Sequence, residues 1–193
     1  MGQYFKAHVS RGDHTYVLSS WDYDCGAKLT EHSWLGNRFV NAVYTMIEEE
    51  PAKVAWVGDY SDERDCPADL YQDCWGKEEY KLPNTLLVGY KNHFYDGDKI
   101  EGYGYLVDHD KREYVSLKKY SCLAQDEDCS VMNPLPLLTA IGNGLGGGDY
   151  YKDNLNSNMV GFWANDTIEF NKELPSKCRE YSDITEDVIF FDD

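Results

Sequence analysis

The chain has 193 residues, of which 18 are Lys or Arg and 35 are Asp or Glu, so its formal net charge is -17 at pH 7. This negative balance argues against binding to the phosphate backbone of nucleic acids and to anionic lipids, because both require a basic surface. Hydrophobic residues make up 42% of the chain and aromatic residues 15%, which is enough for a packed core, so the charge does not indicate disorder.

The first predicted element is a β-hairpin. Residues 3–9 and 15–20 resemble paired strands in composition, and the segment 10–13 between them has the composition of a turn. The chain is therefore expected to begin with two antiparallel strands.

A long amphipathic helix is predicted next. Apolar residues recur with helical spacing from 33 to about 50, with Thr30 or Ser33 as the N-cap and Pro51 just past the end. Three glutamates, at 48–50, then lie at the negative end of the helix dipole, which is unfavourable unless they are solvated or meet a partner.

The rest of the chain predicts short strands separated by polar loops. Residues 103–107 and 113–117 flank a polar loop, 108–112, which has the length of a hairpin connection. The other predicted elements are strands at 53–57, 84–95, 159–163 and 167–170, a short helix at 68–75, and an apolar run at 135–141. Together they predict one α+β domain over residues 1–193, with a mainly antiparallel sheet, one long helix and a glycine-rich loop.

The glycine-rich loop, 142–148, is the most unusual segment, with five glycines in seven positions. Such density indicates tight turns or a close approach of the backbone to another group, such as a phosphate held by backbone N–H groups. The loop lacks the Lys-Ser/Thr of a Walker A motif, and the residues after it do not resemble the helix start of a dinucleotide-binding unit. Both a tight loop without a ligand and a loop that contacts a nucleotide-like small molecule stay open.

Polar side chains elsewhere could join this loop in a ligand site. Asp59 and Asp166 each follow an aromatic-ended strand, and His32 could add acid–base chemistry for a hydrolase, although each of the three could equally cap a turn or a helix. No Gly-x-Ser-x-Gly motif is present and the spacing of an EF-hand is not met, so neither a bound metal nor a cofactor is predicted. The candidate ligand-binding residues are His32, Asp59, Tyr60, Asn143, Gly144, Gly146, Gly147, Gly148, Asp149, Tyr150 and Asp166.

Acidic residues are concentrated in two segments. Residues 48–80 have a net charge of -8 and residues 180–193 a net charge of -6, whereas the first 47 residues are neutral. Such segments form either a solvated face or a surface that mimics a nucleic-acid backbone and occupies a basic surface of another protein. The candidate partner-binding residues are Glu48, Glu49, Glu50, Asp62, Glu63, Asp65, Asp69, Asp73, Glu186 and Asp187.

The cysteines and the N-terminal residues favour a cytoplasmic protein. The six cysteines lie far apart and none forms a C-x-x-C pair, so reduced structural thiols are expected, with bridges between Cys66 and Cys74 or Cys122 and Cys129 only in an exported protein. The first residues lack the pattern of a signal peptide, and no window approaches the ~18 apolar residues of a membrane helix. Contact with a membrane is not expected.

Four segments are distinctive: the initial Met-Gly-Gln-Tyr-Phe, Leu29-Thr-Glu-His-Ser-Trp-Leu-Gly-Asn37, Trp56-Val-Gly-Asp-Tyr60, and Asn133-Pro-Leu-Pro-Leu-Leu-Thr-Ala-Ile-Gly-Asn-Gly-Leu-Gly-Gly-Gly-Asp-Tyr150. Together they resemble a family of small uncharacterised proteins from bacteria and their phages. The resemblance implies a bacterial or phage cytosolic origin and no particular activity. By analogy, small acidic phage proteins that inhibit host enzymes favour an inhibitor.

Three hypotheses follow. The first is a non-enzymatic interaction protein, an inhibitor that occupies a basic surface of a host defence or nucleic-acid-processing protein. The second is a small-molecule or nucleotide-binding protein, with hydrolase activity as one form, that uses the glycine-rich loop. The third is an immunity protein that neutralises a toxin. Convergence of His32, Asp59, Asp149 and Asp166 beside the loop would favour the second.

Overall fold

A mostly antiparallel eight-stranded sheet is the framework of the protein in the computed structural model. The structure describes residues 2–48, 50–61, 66–83, 95–96, 99–100, 103–124, 132–144 and 157–188. The strands in this part of the chain are β1 (Phe5–Arg11), β2 (His14–Ser19), β3 (Ala52–Gly58), β4 (Tyr95–Asp96), β5 (Lys99–Ile100), β6 (Tyr105–Asp108), β7 (Glu113–Ser116), β8 (Ala140–Ile141), β9 (Asp166–Asn171) and β10 (Ser182–Asp183).

The order of strands in the sheet is β10-β7-β6-β9-β3-β1-β2, and β8 pairs with β3 outside this order. The pairs β10–β7 and β3–β8 are parallel, and the other pairs of this sheet are antiparallel. The short strands β4 and β5 pair with each other. The α-helices of the described residues are α1 (Leu29–His32), α2 (Arg38–Ile47), α3 (Ala68–Gly76), α4 (Leu117–Ala124) and α5 (Pro134–Leu138). The α+β fold class predicted from the sequence is therefore confirmed.

Both predicted hairpins are confirmed. β1 and β2 pair from Lys6 opposite Ser19 to Arg11 opposite His14, and Gly12 at the tip has a φ of 56°, a left-handed conformation that glycine adopts without strain. β6 and β7 pair in the same manner around the turn at 109–112. The predicted strand at 53–57 is the centre of β3, which pairs with β1, β8 and β9.

The long helix exists but is shorter than predicted, since α2 starts at Arg38. Gly36 has a φ of 83°, which interrupts the helical backbone, and the side chain of Asn37 accepts hydrogen bonds from the backbone N–H groups of Phe39 and Val40. Asn37 is thus the N-cap, and the prediction of Thr30 or Ser33 is wrong. The helix ends at Ile47, so Glu48 adopts an extended conformation instead of lying in the last turn.

Helices cover both faces of the sheet. Side chains of α2 and α5 pack with Val54 and Trp56 of β3 in the main core. Ala55 and Val57, which point to the opposite face of the same strand, pack with Leu70 of α3. The largest fully buried side chains are Trp56, Trp163, Tyr44, Tyr120, Phe39, Phe170, Leu18, Leu29, Leu35 and Ile47.

One prediction in the second half of the chain needs correction. Residues 159–163 are not a strand: the backbone turns there, Gly161 has a φ of 76°, and the Trp163 N–H donates to the carbonyl of Leu138. The apolar run 135–141 divides into α5 and β8. Most of the predicted strand 84–95 lies outside the described residues. No helix in the described ranges has the length and apolarity to cross a bilayer.

Candidate functional site

His32 is a buried core residue and does not belong to a ligand site. Its Nε2 accepts a hydrogen bond of 3.0 Å from the indole N–H of Trp56, and its Nδ1 lies 3.0 Å from the carbonyl oxygen of Gly26. These partners require a neutral ring with the proton on Nδ1. Burial lowers the pKa of His32 from 6.5 to about 4, so at neutral pH the ring fixes α1 to the central strand and is not exposed to a substrate.

Asp166 lies at the far end of β3 from Asp59. Asp166 is opposite Val54 in the sheet, whereas the Asp59 N–H donates to the carbonyl of Tyr4 just beyond the other end of the strand. At about 3.3 Å per residue the two aspartates are separated by roughly 16 Å along the strand. The two carboxylates therefore do not act on one ligand.

Asp166 instead joins a polar cluster at the β6–β7 turn. The ammonium group of Lys111 contacts Asp166 and lies 4.0 Å from Asp108. Asp108 also accepts the backbone N–H groups of Asp110 and Lys111, and burial together with the neighbouring Asp166 raises the pKa of Asp108 to about 7. The contacts in this cluster connect the β6–β7 turn to the start of β9.

A second polar contact lies beside this cluster. His109 Nε2 is 2.6 Å from a carboxylate oxygen of Glu169, and Lys177 is 3.3 Å from the same oxygen. His109 Nδ1 lies 3.4 Å from the hydroxyl of Tyr181. These contacts connect the hairpin with the segment that leads to β10. In the described part of the chain, no group of three or more His, Cys, Asp and Glu side chains has the arrangement of a metal site.

Asp59, Tyr60 and Asn143 do lie together. The side chain of Asn143 donates to the carbonyl of Tyr60 at 3.3 Å, and a carboxylate oxygen of Asp59 accepts the backbone N–H of Tyr4 at 2.9 Å. Gly144 follows with a φ of 66°. These three members of the predicted ligand site lie at the edge where β1 begins and β3 ends. The remaining members, Gly146, Gly147, Gly148, Asp149 and Tyr150, lie outside the described residues.

The same edge presents exposed aromatic side chains. Trp21 is 63% exposed, and its ring meets that of Tyr4, which is 42% exposed, edge to face at 5.9 Å. Tyr60 is 41% exposed. Asp22 and Asp24 follow Trp21 in the chain, one and three residues after it. We call this the aromatic–acidic surface, formed by Tyr4, Trp21, Asp22, Asp24, Asp59 and Tyr60.

The cations near this surface are loosely placed. Lys81 lies 4.0 Å from Asp22, and Arg38 lies 3.9 Å from Asp24, whose side chain is 92% exposed. Pairs of this length between solvated groups contribute about 0–1 kcal/mol at most. A cation from another molecule can therefore replace either of them at low cost.

Four of the six described acidic residues predicted to bind a partner form ion pairs within the chain. Glu48, Glu50, Asp73 and Glu186 pair with Lys172, Arg11, Lys77 and Lys119, respectively, at 2.8–3.2 Å. Asp69 and Asp187 are exposed. Glu49, Asp62, Glu63 and Asp65 lie outside the described residues.

Parts of the two acidic segments lie at opposite edges of the sheet. α3, in the first segment, packs on β1 and β2, whereas β10, in the second, pairs with β7 at the other edge. None of the described cysteines, Cys25, Cys66, Cys74, Cys122 and Cys178, forms a disulfide.

Comparison with protein-family models, with curated proteins and with solved structures finds no match for this chain. The resemblance to small bacterial and phage proteins stays a prediction. Sequence reasoning did not identify Tyr4, Trp21, Asp22 and Asp24 as candidates. The signal that could have found them is a tryptophan in a polar run, Ser20-Trp21-Asp22-Tyr23-Asp24, where a core residue is not expected.

Proposed function

We propose that this protein is a non-enzymatic interaction protein that binds a basic surface of another protein through the aromatic–acidic surface. The observation that supports this most strongly is the exposed Trp21–Tyr4 pair. A carboxylate oxygen of Asp59 accepts the backbone N–H of Tyr4, and Asp22 follows Trp21 in the chain. Tryptophan and tyrosine are enriched among the residues that dominate binding energy at interfaces, and a tryptophan left this exposed has little role in the core.

The chemistry of the surface favours arginine in the partner. A guanidinium group stacks on the faces of Trp21 and Tyr4 while its N–H groups donate to the carboxylates of Asp24 or Asp59. The net charge of -17 adds long-range attraction for a basic partner and accelerates association at low ionic strength. Inhibition of a host enzyme and neutralisation of a toxin would both use this mechanism, and they differ in the identity of the partner.

The hydrolase hypothesis loses support, because its acid–base residues are dispersed. His32 is buried in the core, and Asp166 is engaged with Lys111 at the opposite end of β3 from Asp59. A binding function does not need these three residues to meet.

A synthetic peptide of alternating Arg and Gly, eight residues long, tests the proposal by calorimetry at 20 mM salt. We expect Trp21→Ala to weaken peptide binding at least ten-fold, about 1.4 kcal/mol, while the folded state keeps its stability because Trp21 is exposed. Asp59→Asn and Asp24→Asn should each weaken binding several-fold. A Lys-Gly peptide of equal length should bind more weakly, since lysine makes no planar stacking contact.

Phe162→Ala is the matched control. Phe162 is 40% exposed, and the ammonium group of Lys111 lies 5.2 Å from its ring. Because this positive charge repels a cationic peptide, we do not expect the peptide to bind at Phe162. If Trp21→Ala and Phe162→Ala bind the peptide with equal affinity, the aromatic–acidic surface is not the binding site and the proposal is wrong.

A further inference from the structure

A cleft of about 410 Å³ opens at the end of the sheet where β6 begins and where β7 and β9 end. Its size lies within the range of small-molecule sites, roughly 300–1,000 Å³. The side of α4 and the first residue after β9 complete its walls. The lining residues are Tyr103, Gly104, Tyr105, Ser116, Lys118, Lys119, Cys122 and Lys172.

The charge of this lining is opposite to that of the chain. Among the described residues, three lysines and no carboxylate line the cleft, although the full chain has 35 acidic and 18 basic residues. Lys118 is exposed, and no side chain in the described residues forms an ion pair with it. Lys118 therefore gives the cleft a cationic group that no carboxylate of the described residues neutralises, and this favours an anion there.

Carboxylates outside the lining hold two of these lysines in place. Lys119 lies 2.9 Å from Glu186 and 3.4 Å from Asp183, and its hydrogen bond with Glu186 is the main reason that its pKa is raised. Lys172 lies 2.9 Å from Glu48. An ammonium group whose position is already restricted by a carboxylate loses less conformational entropy when it binds a ligand.

Two tyrosines give the cleft aromatic walls. Gly104, with a φ of 85°, allows the turn before β6 to approach β9 closely, because a Cβ there would lie 2.6 Å from the carbonyl oxygen of Asn171. This turn places Tyr103 and Tyr105 in the same cleft. The ring of Tyr105 is held edge to face against Tyr114 at 5.9 Å, and Tyr103 is 40% exposed.

We propose that this cleft, the lysine–tyrosine cleft, binds a small organic phosphate that contains a planar ring. The ammonium groups of Lys118, Lys119 and Lys172 meet the phosphate, the hydroxyl of Ser116 donates to it, and the ring stacks on Tyr103 or Tyr105. The site is independent of the proposed protein-binding function, because the aromatic–acidic surface lies where β1 begins and β3 ends. It also differs from the glycine-rich loop, which was the sequence-based expectation for a nucleotide.

AMP, adenosine and inorganic phosphate are the probes that test this proposal. We expect AMP to bind with a Kd below about 1 mM, and adenosine and phosphate each to bind at least ten-fold more weakly, since each supplies only one half of the recognition. In a nitrogen-15 NMR titration of the full chain, AMP should shift the amide signals of residues 104–105, 116–122 and 172. Equal affinity for AMP and adenosine, or shifts confined to 142–144, would overturn the proposal.

Two substitutions locate the phosphate. Lys118→Gln and Lys172→Gln should each weaken AMP binding at least five-fold, whereas Lys81→Gln, an exposed lysine at the opposite edge of the sheet, should change it less than two-fold. Lys172→Gln also removes the partner of Glu48, so Lys118→Gln decides the matter if the other variant does not fold. Unchanged AMP affinity in Lys118→Gln would show that the cleft does not hold the phosphate.

Discussion

At the scale of single residues, His32 illustrates how burial converts a candidate catalytic group into a structural one. Its neutral ring accepts the indole N–H of Trp56 and faces the carbonyl of Gly26, and it is completely buried. Protonation would remove the acceptor and place a charge in the core. The same ring in an exposed cleft would titrate near its usual pKa and could transfer protons.

This position predicts a pH dependence of stability. The pKa of His32 is lowered to about 4 in the folded state, so its contribution is complete above pH 6.5 and is lost as the pH falls from 6.5 towards 4. Between pH 7 and 4.5, we expect His32→Gln, which does not titrate, to lose about 2–3 kcal/mol less of its unfolding free energy than the wild type. Urea denaturation at several pH values measures this.

At pH 7 the same variant should be less stable than the wild type by about 1–3 kcal/mol, because the buried indole N–H loses a well-placed acceptor. His14→Gln, an exposed histidine in β2, is the control and should leave the pH dependence unchanged. If the His14 and His32 variants show the same pH dependence, the assignment of a neutral buried ring is wrong.

At the scale of elements, the β6–β7 turn contains two aspartates with opposite behaviour. The pKa of Asp108 is raised to about 7 by burial and by Asp166, whereas the backbone N–H of Thr167 lowers the pKa of Asp110. A raised pKa means that Asp108 stabilises the fold at low pH and loses this contribution as the pH rises through about 7. The lowered pKa of Asp110 means that this residue stabilises the fold at higher pH and loses its contribution as the pH falls.

Asparagine substitutions separate the two aspartates. Asp108→Asn should make the protein more stable at pH 8 by roughly 1–2 kcal/mol, because the amide oxygen still accepts the two backbone N–H groups without a buried charge. Asp110→Asn should make it less stable at the same pH, since a neutral acceptor binds the N–H of Thr167 more weakly. Urea denaturation at pH 5 and 8 measures both variants, and a loss of stability at pH 8 in Asp108→Asn would contradict this interpretation.

The elements that sequence patterns predicted well are those with local signals. Alternation and turn composition located both hairpins, and helical spacing located α2. The start of α2 was missed because Asn37, not Ser33, provides the capping oxygen, after a left-handed Gly36. Residues 159–163 resemble a strand in composition, but the N–H groups of Gly161 and Trp163 bond to α5 residues that are distant in sequence.

The candidate site was predictable only in part, because it also depends on contacts between residues that are distant in sequence. Asp59, Tyr60 and Asn143 were named as candidates and do lie together, but the parallel pairing of β3 with β8 that brings them together was not predicted. The exposure of Trp21, in contrast, depends on how the 3₁₀ turn after β2 packs against the start of β1. This packing cannot be predicted from the residues on either side of Trp21 in the sequence. The lysine–tyrosine cleft joins residues from three separate segments and could not be read from spacing.

At the scale of the whole molecule, the charge of -17 is divided between the two ends of the sheet. Several acidic residues there pair with lysines and arginines of the same chain, and the net charge of -17 is the surplus that remains after every Lys and Arg is counted. The sites proposed here use local composition and not the total charge: aromatic rings with carboxylates at one corner, and tyrosines with lysines at the other.

The total charge should still affect stability. Excess negative charge destabilises the compact state by self-repulsion, so raising NaCl from 20 to 500 mM should raise the Tm by several degrees. The exposed ion pairs weaken under the same conditions, but each contributes about 1 kcal/mol or less. We therefore expect the loss of repulsion to outweigh them, so that the Tm rises with salt. Calorimetry or circular dichroism measures the Tm.

Charge reversals test the cause of this salt effect. Glu78→Lys and Asp187→Lys change exposed residues at opposite ends of the sheet, and since each reversal adds two charges the double variant moves from -17 to -13. We expect it to have a higher Tm at 20 mM salt and a smaller salt dependence, whereas Lys81→Glu should change both in the opposite direction. The double variant should still bind the Arg-Gly peptide, because neither residue belongs to the aromatic–acidic surface. A Tm that falls with salt in the wild type would mean that internal ion pairs outweigh the repulsion.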